Sequence, residues 1–353
     1  FAGSLSEGVQ DMLNHLESLC RLFGASGQEH PVRDYLIEQI KPLGLSYQVD
    51  PLGNLIVEKK GKQTPPKKWM IGAHMDEVGL IVTYINENGT MKLAPVGGID
   101  PSVVIGRAVQ VGEQRIPGVI GAKPIHLLSK EDRKKAPSFS NLYLDIGAAN
   151  REEAEQFVQP GTYAHFRSSY TLLGGGKLVR SKALDDRIGC AILLDLLQKD
   201  VPYDFTAAFH VQEEIGLRGA KAAAYTINPD FALILETTTA ADFSSAQGDA
   251  KVCQLGKGPV VSFMDRSTLY DRELYRLAFS LCEETGIPCQ TKTRIAGGND
   301  SGAVHVSRNG VRTLAISAPC RNLHAPSCVA NLSDIQHCAT LTALLLQQAG
   351  SLI

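Results

Sequence analysis

Two adjacent carboxylates, Glu213 and Glu214, stand where the apolar stretch DFTAAFHVQ gives way to EEIGLRGA. A carboxylate removed from water is costly unless a cation or a reaction keeps it there, so the pair demands a partner. Other side chains able to hold a metal fall at the same kind of place, the ends of predicted strands or the turns after them. These are His74 and Asp76, Asp185 and Asp186, Glu236, and His324. The carboxyl edge of an open α/β sheet is where sites of this class gather. Two histidines among several carboxylates suit zinc, cobalt or manganese better than copper(I) or an iron–sulfur cluster.

Each residue also has an ordinary reading. His210, inside AAFHVQ, reads as a satisfied core histidine. Asp185 or Asp186 in LDDRIG suits a helix start, capping first-turn amides. Glu236 before TTT reads equally as a strand-end surface charge. Cys320, His324 and Cys328 are spaced by four residues, as in part of a structural zinc set, but a fourth ligand is missing. Pro319 and Pro326 rule out one continuous helix presenting all three, so His324 is taken as a ligand and the cysteines as incidental.

The elements that must position these residues follow from periodicity. Met12, Leu13, Leu16, Leu19, Cys20 and Phe23 recur at helical spacing and stop at Gly24; Val32, Tyr35, Leu36 and Ile40 mark a second helix. NLIVEKK and KWMIGAHMD read as strands, the latter delivering His74 and Asp76 to its end. Between Gly79 and about Gly176, short β-like runs separated by NG, GE and PG predict an inserted small β-barrel or sandwich. Its charged stretch 129–141 reads as an exposed loop. Beyond Lys177 helix and strand alternate again, with DDRIGCAILLDLLQ, GAKAAAY, DRELYRLAFSLCEETG and SDIQHCATLTALLLQQAG as helices. DFTAAFHVQ, FALILE and VRTLAISAP are the strands between them, and the alternation predicts an α/β fold with a mixed sheet covered by helices. The expected division is 1–78 and 177–353 for the main domain and 79–176 for the insert.

Five stretches in order, GAHMDEVGLIV, SKALDDRIGC, HVQEEIGLRGA, GGNDSGAVH and NLHAPSCVA, together resemble the M42 family of cocatalytic metal aminopeptidases along essentially the whole chain. The resemblance implies that Asp185 bridges two divalent ions, zinc first and cobalt or manganese as alternatives. It places His74 and Glu236 on one ion and Glu214 and His324 on the other, with Glu213 as general base and Asp76 orienting His74. It further implies peptide substrates with a free N-terminus, dimerisation through the β insert and assembly into a tetrahedral dodecamer. Two departures stand out: Glu236 occupies a position where the family usually has Asp, and GGNDSGA replaces GGTDAGA. Arg294, Gly297, Gly298, Asn299 and Asp300 are the candidate substrate contacts. The competing readings are an M20-like deacylase or carboxypeptidase, a β-glucanase working through paired carboxylates without metal, and a non-catalytic peptide-binding shell.

Composition bounds the rest. At 353 residues the chain exceeds one ordinary core, and a net charge of −2 provides no basic footprint for nucleic acid or an anionic membrane. The eight cysteines form no CxxC pair and sit mostly in apolar contexts, the pattern of reduced thiols in the cytoplasm. No apolar run reaches the roughly 18 residues of a membrane span. FAGSLSEGVQDML has neither the charged nor the apolar part of a signal peptide.

Overall fold

The computed structural model describes residues 7–243 and 245–352. Part of the N-terminal stretch considered above for targeting lies outside them.

Helices α1 (Glu7–Arg21) and α2 (His30–Ile40) open the chain where the periodicity placed them. They are followed by strands β1 (Ser46–Val49), β2 (Leu55–Lys59) and β3 (Trp69–His74). The β insert contributes β4 (Gly79–Ile85), β5 (Met91–Val96), β6 (Ala108–Val111), β7 (Ile116–Ala122), β8 (Leu142–Asp145), the short helix α3 (Arg151–Glu155) and β9 (Tyr163–Phe166). Then come β10 (Thr171–Leu173), β11 (Leu178–Ser181), α4 (Leu184–Gln198), β12 (Phe205–His210), α5 (Arg218–Ile227) and β13 (Phe231–Thr239). The chain continues through β14 (Val260–Val261), α6 (Arg272–Thr285), the short α7 (Ser301–Val304), β15 (Arg312–Arg321), β16 (Cys328–Asn331) and α8 (Leu332–Gln347).

The ten-stranded sheet has the order β1, β2, β12, β3, β13, β15, β16, β11, β10, with β14 paired to β15. Its centre, β12, β3, β13 and β15, is parallel, and antiparallel strands flank it on both sides. Every residue of β3 and β12 is buried. That is why their sequences are continuous apolar runs: a parallel strand covered on both faces has no solvent side to alternate with. Residues of α1, α2, α4, α6 and α8 form the core on one face, and α5 with α7 cover the other. Local signals set the ends of α6. Asp271 accepts hydrogen bonds from the Glu273 and Leu274 amides at its start, and Gly286 takes the left-handed conformation at φ 71° after its last turn.

The insert is a closed barrel, β4, β5, β8, β7, β6, β9, with its own apolar core. Its strands end at Phe166, short of the expected 176. The Thr171–Leu173 run instead pairs with β11 in the large sheet, because a three-residue strand carries too little pattern to reveal its partner. The charged stretch 129–141 is exposed, as expected. Beside the junction with the barrel the main domain holds a buried cation cluster, where Lys182 donates to Glu77 Oε1 and to the Leu22 carbonyl, each at 2.6 Å. Arg187 donates to the Leu19 carbonyl at 2.6 Å. From β9, the Tyr163 hydroxyl donates to the Ser26 carbonyl at 2.9 Å. Among the described residues no helix is long and apolar enough to cross a membrane.

Candidate metal centre

The parallel strands bring the spaced carboxylates and histidines together at their carboxyl ends. His74 is the last residue of β3, and pairing of β3 with β13 stops at Gly72 and Ile234. Past that point Glu236 Oε1 comes within 3.5 Å of His74 Nε2. Glu236 is buried and lies inside β13, which runs on through Thr239, so the alternative reading of it as a strand-end surface charge does not hold. Asp185 enters from the head of α4, where Ala183 is left-handed at φ 55° and the Asp185–Asp186 peptide is cis. One Asp185 oxygen lies 3.3 Å from His74 Nε2 and the other 3.2 Å from His324 Nε2. His324 Nε2 is also 3.3 Å from Glu214 Oε2.

Asp186 takes the capping role that the sequence left open between the two aspartates. Its Oδ1 accepts from the Gly189 amide at 2.9 Å, and a Cβ on Gly189 would lie 2.3 Å from Asp186 Oδ2, so only glycine fits.

Glu213 and Glu214 are in the turn beyond β12, after Gln212 at φ 58°. Asp76 holds that turn: its Oδ1 accepts from the Glu213 amide at 2.9 Å and its Oδ2 from the Glu214 amide at 3.1 Å. Ser26 Oγ donates to the same carboxylate at 2.6 Å, which connects the site to the barrel contact of Tyr163. His74 Nδ1 is 3.0 Å from the Asp76 backbone carbonyl and 3.4 Å from its carboxylate. A carbonyl only accepts, so Nδ1 carries the proton and Nε2 is left free to ligate. The carboxylate thus orients the glutamates more directly than the imidazole it was expected to hold.

Three groupings have ligand atoms mutually within 4.8 Å: His74, Asp185 and Glu236; Asp185, Glu214 and His324; and His74, Glu213 and Glu214. Asp185 Oδ1 and Glu236 Oε2 are buried without a hydrogen-bond partner. Orphaned carboxylate oxygens beside imidazole nitrogens fit a divalent cation, because nothing else among the described residues satisfies them. No cysteine belongs to these groupings. Cys328 Sγ instead donates toward the Asn322 and Ala325 carbonyls, at 3.2 and 3.5 Å, on either side of left-handed His324.

Without cations the cluster retains protons. Burial, reinforced by Asp185, raises Glu214 to about 8, and burial raises Glu236 to about 7 despite the opposing pull of His74. Glu213 is also raised, chiefly by burial. Burial lowers His324, but Asp185 and Glu214 outweigh it and leave it at about 9. Asp185 is held down by His324 and His74 against the effect of burial. The raised groups bind protons more tightly folded than unfolded, so their stabilisation is full at low pH and is lost as pH rises through the folded values. Chelated protein should therefore lose thermal stability from pH 5.5 to about 8.5, while added Zn²⁺ restores it increasingly over the same range. Calorimetric scans showing a flat pH response without metal would refute this account.

A cavity of about 370 Å³ opens on the centre. Asp185, Glu213, Glu236 and His324 line one part of it, and Gly297, Gly298, Asn299 and Arg294 another. Arg294 is largely exposed and lies 3.8 Å from Asp249. Asp300 does not reach the cavity: it is buried with Oδ2 2.7 Å from His210 Nδ1, which corrects its expected place among the substrate contacts. Lys292 and Asp265 also line the cavity. Both sit in irregular segments whose sequence carries no periodic signal, and sequence reasoning missed them.

The chain matches the family described as M42 glutamyl aminopeptidase over residues 53–341. It belongs to that family. As such it is an aminopeptidase. It is 38% identical over 334 residues to a putative aminopeptidase of Acetivibrio thermocellus, covering 94% of this chain and 97% of that one. It is 31% identical to the lysyl aminopeptidase of Pyrococcus furiosus, with 92% and 94% covered. Among solved structures, the TET1 peptidase of Pyrococcus horikoshii superposes with a TM-score of 0.83 at 36% identity, covering 95% of this chain and 99% of that one. That peptidase assembles into a tetrahedron or a large octahedral shell. The M42 chain described here shares the mixed sheet and inserted barrel of such structures.

Proposed function

We propose that the protein removes the first residue of peptides at a centre for two divalent cations, zinc first and cobalt or manganese as alternatives. The observation that carries this reading is Asp185, whose two oxygens each face a different imidazole, at 3.3 and 3.2 Å. His74 and Glu236 would hold one ion and Glu214 and His324 the other, with Asp185 available to both. When bound, the ions supply Lewis acidity for water activation and for polarising the scissile carbonyl. Glu213, on the cavity wall with its amide fixed by Asp76, takes the proton of the attacking water and returns it to the leaving amine. A free α-amine would sit beside one ion and its carboxylate ligands, a place that an acylated nitrogen cannot take, and this restricts cutting to the N-terminus.

The first-residue preference rests on the cavity of this chain. Lys292 Nζ spends one donor on the Ala296 carbonyl at 2.8 Å and keeps the others for a ligand. Burial lowers its pKa, while Asp265, Cys253 and Glu236 oppose that shift. Asp265 is already committed to the Ser267 and Thr268 amides and the Tyr270 hydroxyl, so it offers little to a basic side chain. An acidic first residue meets a cation there. Exposed Ile125 and Leu127 on the barrel supply apolar surface for self-association, in dimers and a larger shell. The eight free thiols suit a reducing compartment such as the cytoplasm.

The test is a panel of aminoacyl anilides and short peptides, with N-acetylated peptides and cello-oligosaccharides beside them, assayed on chelated protein before and after Zn²⁺, Co²⁺ or Mn²⁺. Metal-dependent release of Glu or Asp from free-amine substrates is expected, with at least about tenfold discrimination against Lys. Lys292→Glu should reverse that order. Metal-independent sugar cleavage, or activity confined to acylated substrates, would overturn the reading. Light scattering on the same sample should return an assembly, and a monomer would remove the shell.

A further inference from the structure

His210 ends β12 and Asp300 immediately precedes α7; neither is exposed, and the chemistry above uses neither. Their contact, Nδ1 to Oδ2 at 2.7 Å, joins residues 90 apart in sequence. The remaining polar atoms, His210 Nε2 and Asp300 Oδ1, have no hydrogen-bond partner. A buried polar pair left half satisfied is a weak source of stability, and apolar residues of similar volume commonly serve as well or better. The neighbouring strand makes a further concession. A Cβ on Gly72 would lie 2.6 Å from His210 Cε1, so β3 gives up a side chain to admit the ring.

What the pair joins explains its presence. Glu213 follows His210 by three residues and lines the cavity; Gly297, Gly298 and Asn299 lead directly into Asp300 and line it too. One contact therefore ties the turn that carries the base to the loop on another wall. The far side of that loop is held by a different element: the Arg266 amide donates to the Gly297 carbonyl at 2.9 Å. Asn299 Nδ2 also donates to the Tyr270 hydroxyl at 2.9 Å. Gly298 and Gly302 pack against the Ser267 side chain, where a Cβ would come within 2.6 and 2.5 Å of its hydroxyl. Released from His210, the loop would follow this 266–270 segment and lose its register against Glu213.

We infer that His210 and Asp300 are positioning residues that set the separation between the base-bearing turn and the substrate-holding loop at 297–299. This rests on the aminopeptidase reading above. Neither residue touches substrate or metal; they act by fixing two cavity walls relative to each other, and a misplacement of about 1 Å costs on the order of 10² in rate.

The test compares wild type, His210→Asn, which keeps a donor near the Nδ1 position, and the double variant His210→Leu/Asp300→Leu, which replaces the pair by apolar volume and leaves no unpaired buried charge. Four readouts are taken on the metal-loaded protein: thermal midpoint, ion content, kcat and KM for two aminoacyl anilides, and amide hydrogen exchange over 213–217 and 297–303. The double variant should fold and keep its ions, lose roughly 10- to 100-fold in kcat/KM, and exchange faster in both segments. His210→Asn should recover to within about threefold of wild type. Unchanged exchange and kcat/KM in the double variant would overturn the inference, as would loss of ions in step with activity or failure of His210→Asn to recover. A wild type that cleaves no free-amine substrate would sink the aminopeptidase reading instead, and the exchange data would still decide whether the pair couples the two segments.

Discussion

Glu213→Gln is expected to lower kcat by about 10² to 10⁴ while both ions remain bound. Gln preserves the volume and the backbone amide that Asp76 holds at 2.9 Å, so the turn should persist. It removes the ability to take and return a proton. The two groupings that share Asp185 are complete without Glu213, so ion content by elemental analysis should match wild type. KM should change little, because a proton-transfer group acts mainly in the transition state. Loss of an ion would show that Glu213 is a ligand, as its grouping with His74 and Glu214 allows. Near-complete activity in a metal-saturated assay would show that the base lies elsewhere.

Asp185→Ala should abolish high-affinity binding of both ions and bring activity to background, a loss larger than that of any other single ligand. His74→Ala or His324→Ala removes one member of one Asp185 grouping, whereas Asp185 belongs to both. Its carboxylate is also what holds the two histidines in register, at 3.3 and 3.2 Å. Isothermal titration with Zn²⁺ on chelated protein would distinguish the cases: two sites in wild type, at most one tight site in the histidine variants, none in Asp185→Ala. A tight site surviving in Asp185→Ala would mean that the two ions do not share this carboxylate. Glu236→Asp would shorten the side chain by one methylene. It would pull the carboxylate back from His74 Nε2, now 3.5 Å from Glu236 Oε1, and weaken only the ion held by that pair.

Much of this site was legible before any coordinates. His74, Asp185, Glu214, Glu236 and His324 are residue types that bind metals, set at the ends of runs whose periodicity marks strands and helices. Strands buried on both faces leave continuous apolar runs, and such runs end where the site begins. Less was legible wherever the chain is irregular. The turn of Glu213 and Glu214 looked like a strand end, because the left-handed Gln212 that breaks the strand leaves no signature in composition. Glu236 looked like the end of β13, because the three threonines that continue the strand pair with β15, a partner invisible from local sequence.

By itself, the sequence determined the alternation of helices and strands, the β insert and the chemical character of the site, because each depends on local burial and residue type. Only the tertiary structure decided who touches whom. It assigned the Asp76 carboxylate to two glutamate amides, brought Lys292 into the cavity, set Asp186 as a cap beside Asp185, and joined His210 to Asp300 across 90 residues. Contacts of that kind depend on the path of the whole chain, and a sequence pattern records how deeply a side chain is buried without recording which distant side chain shares its cavity.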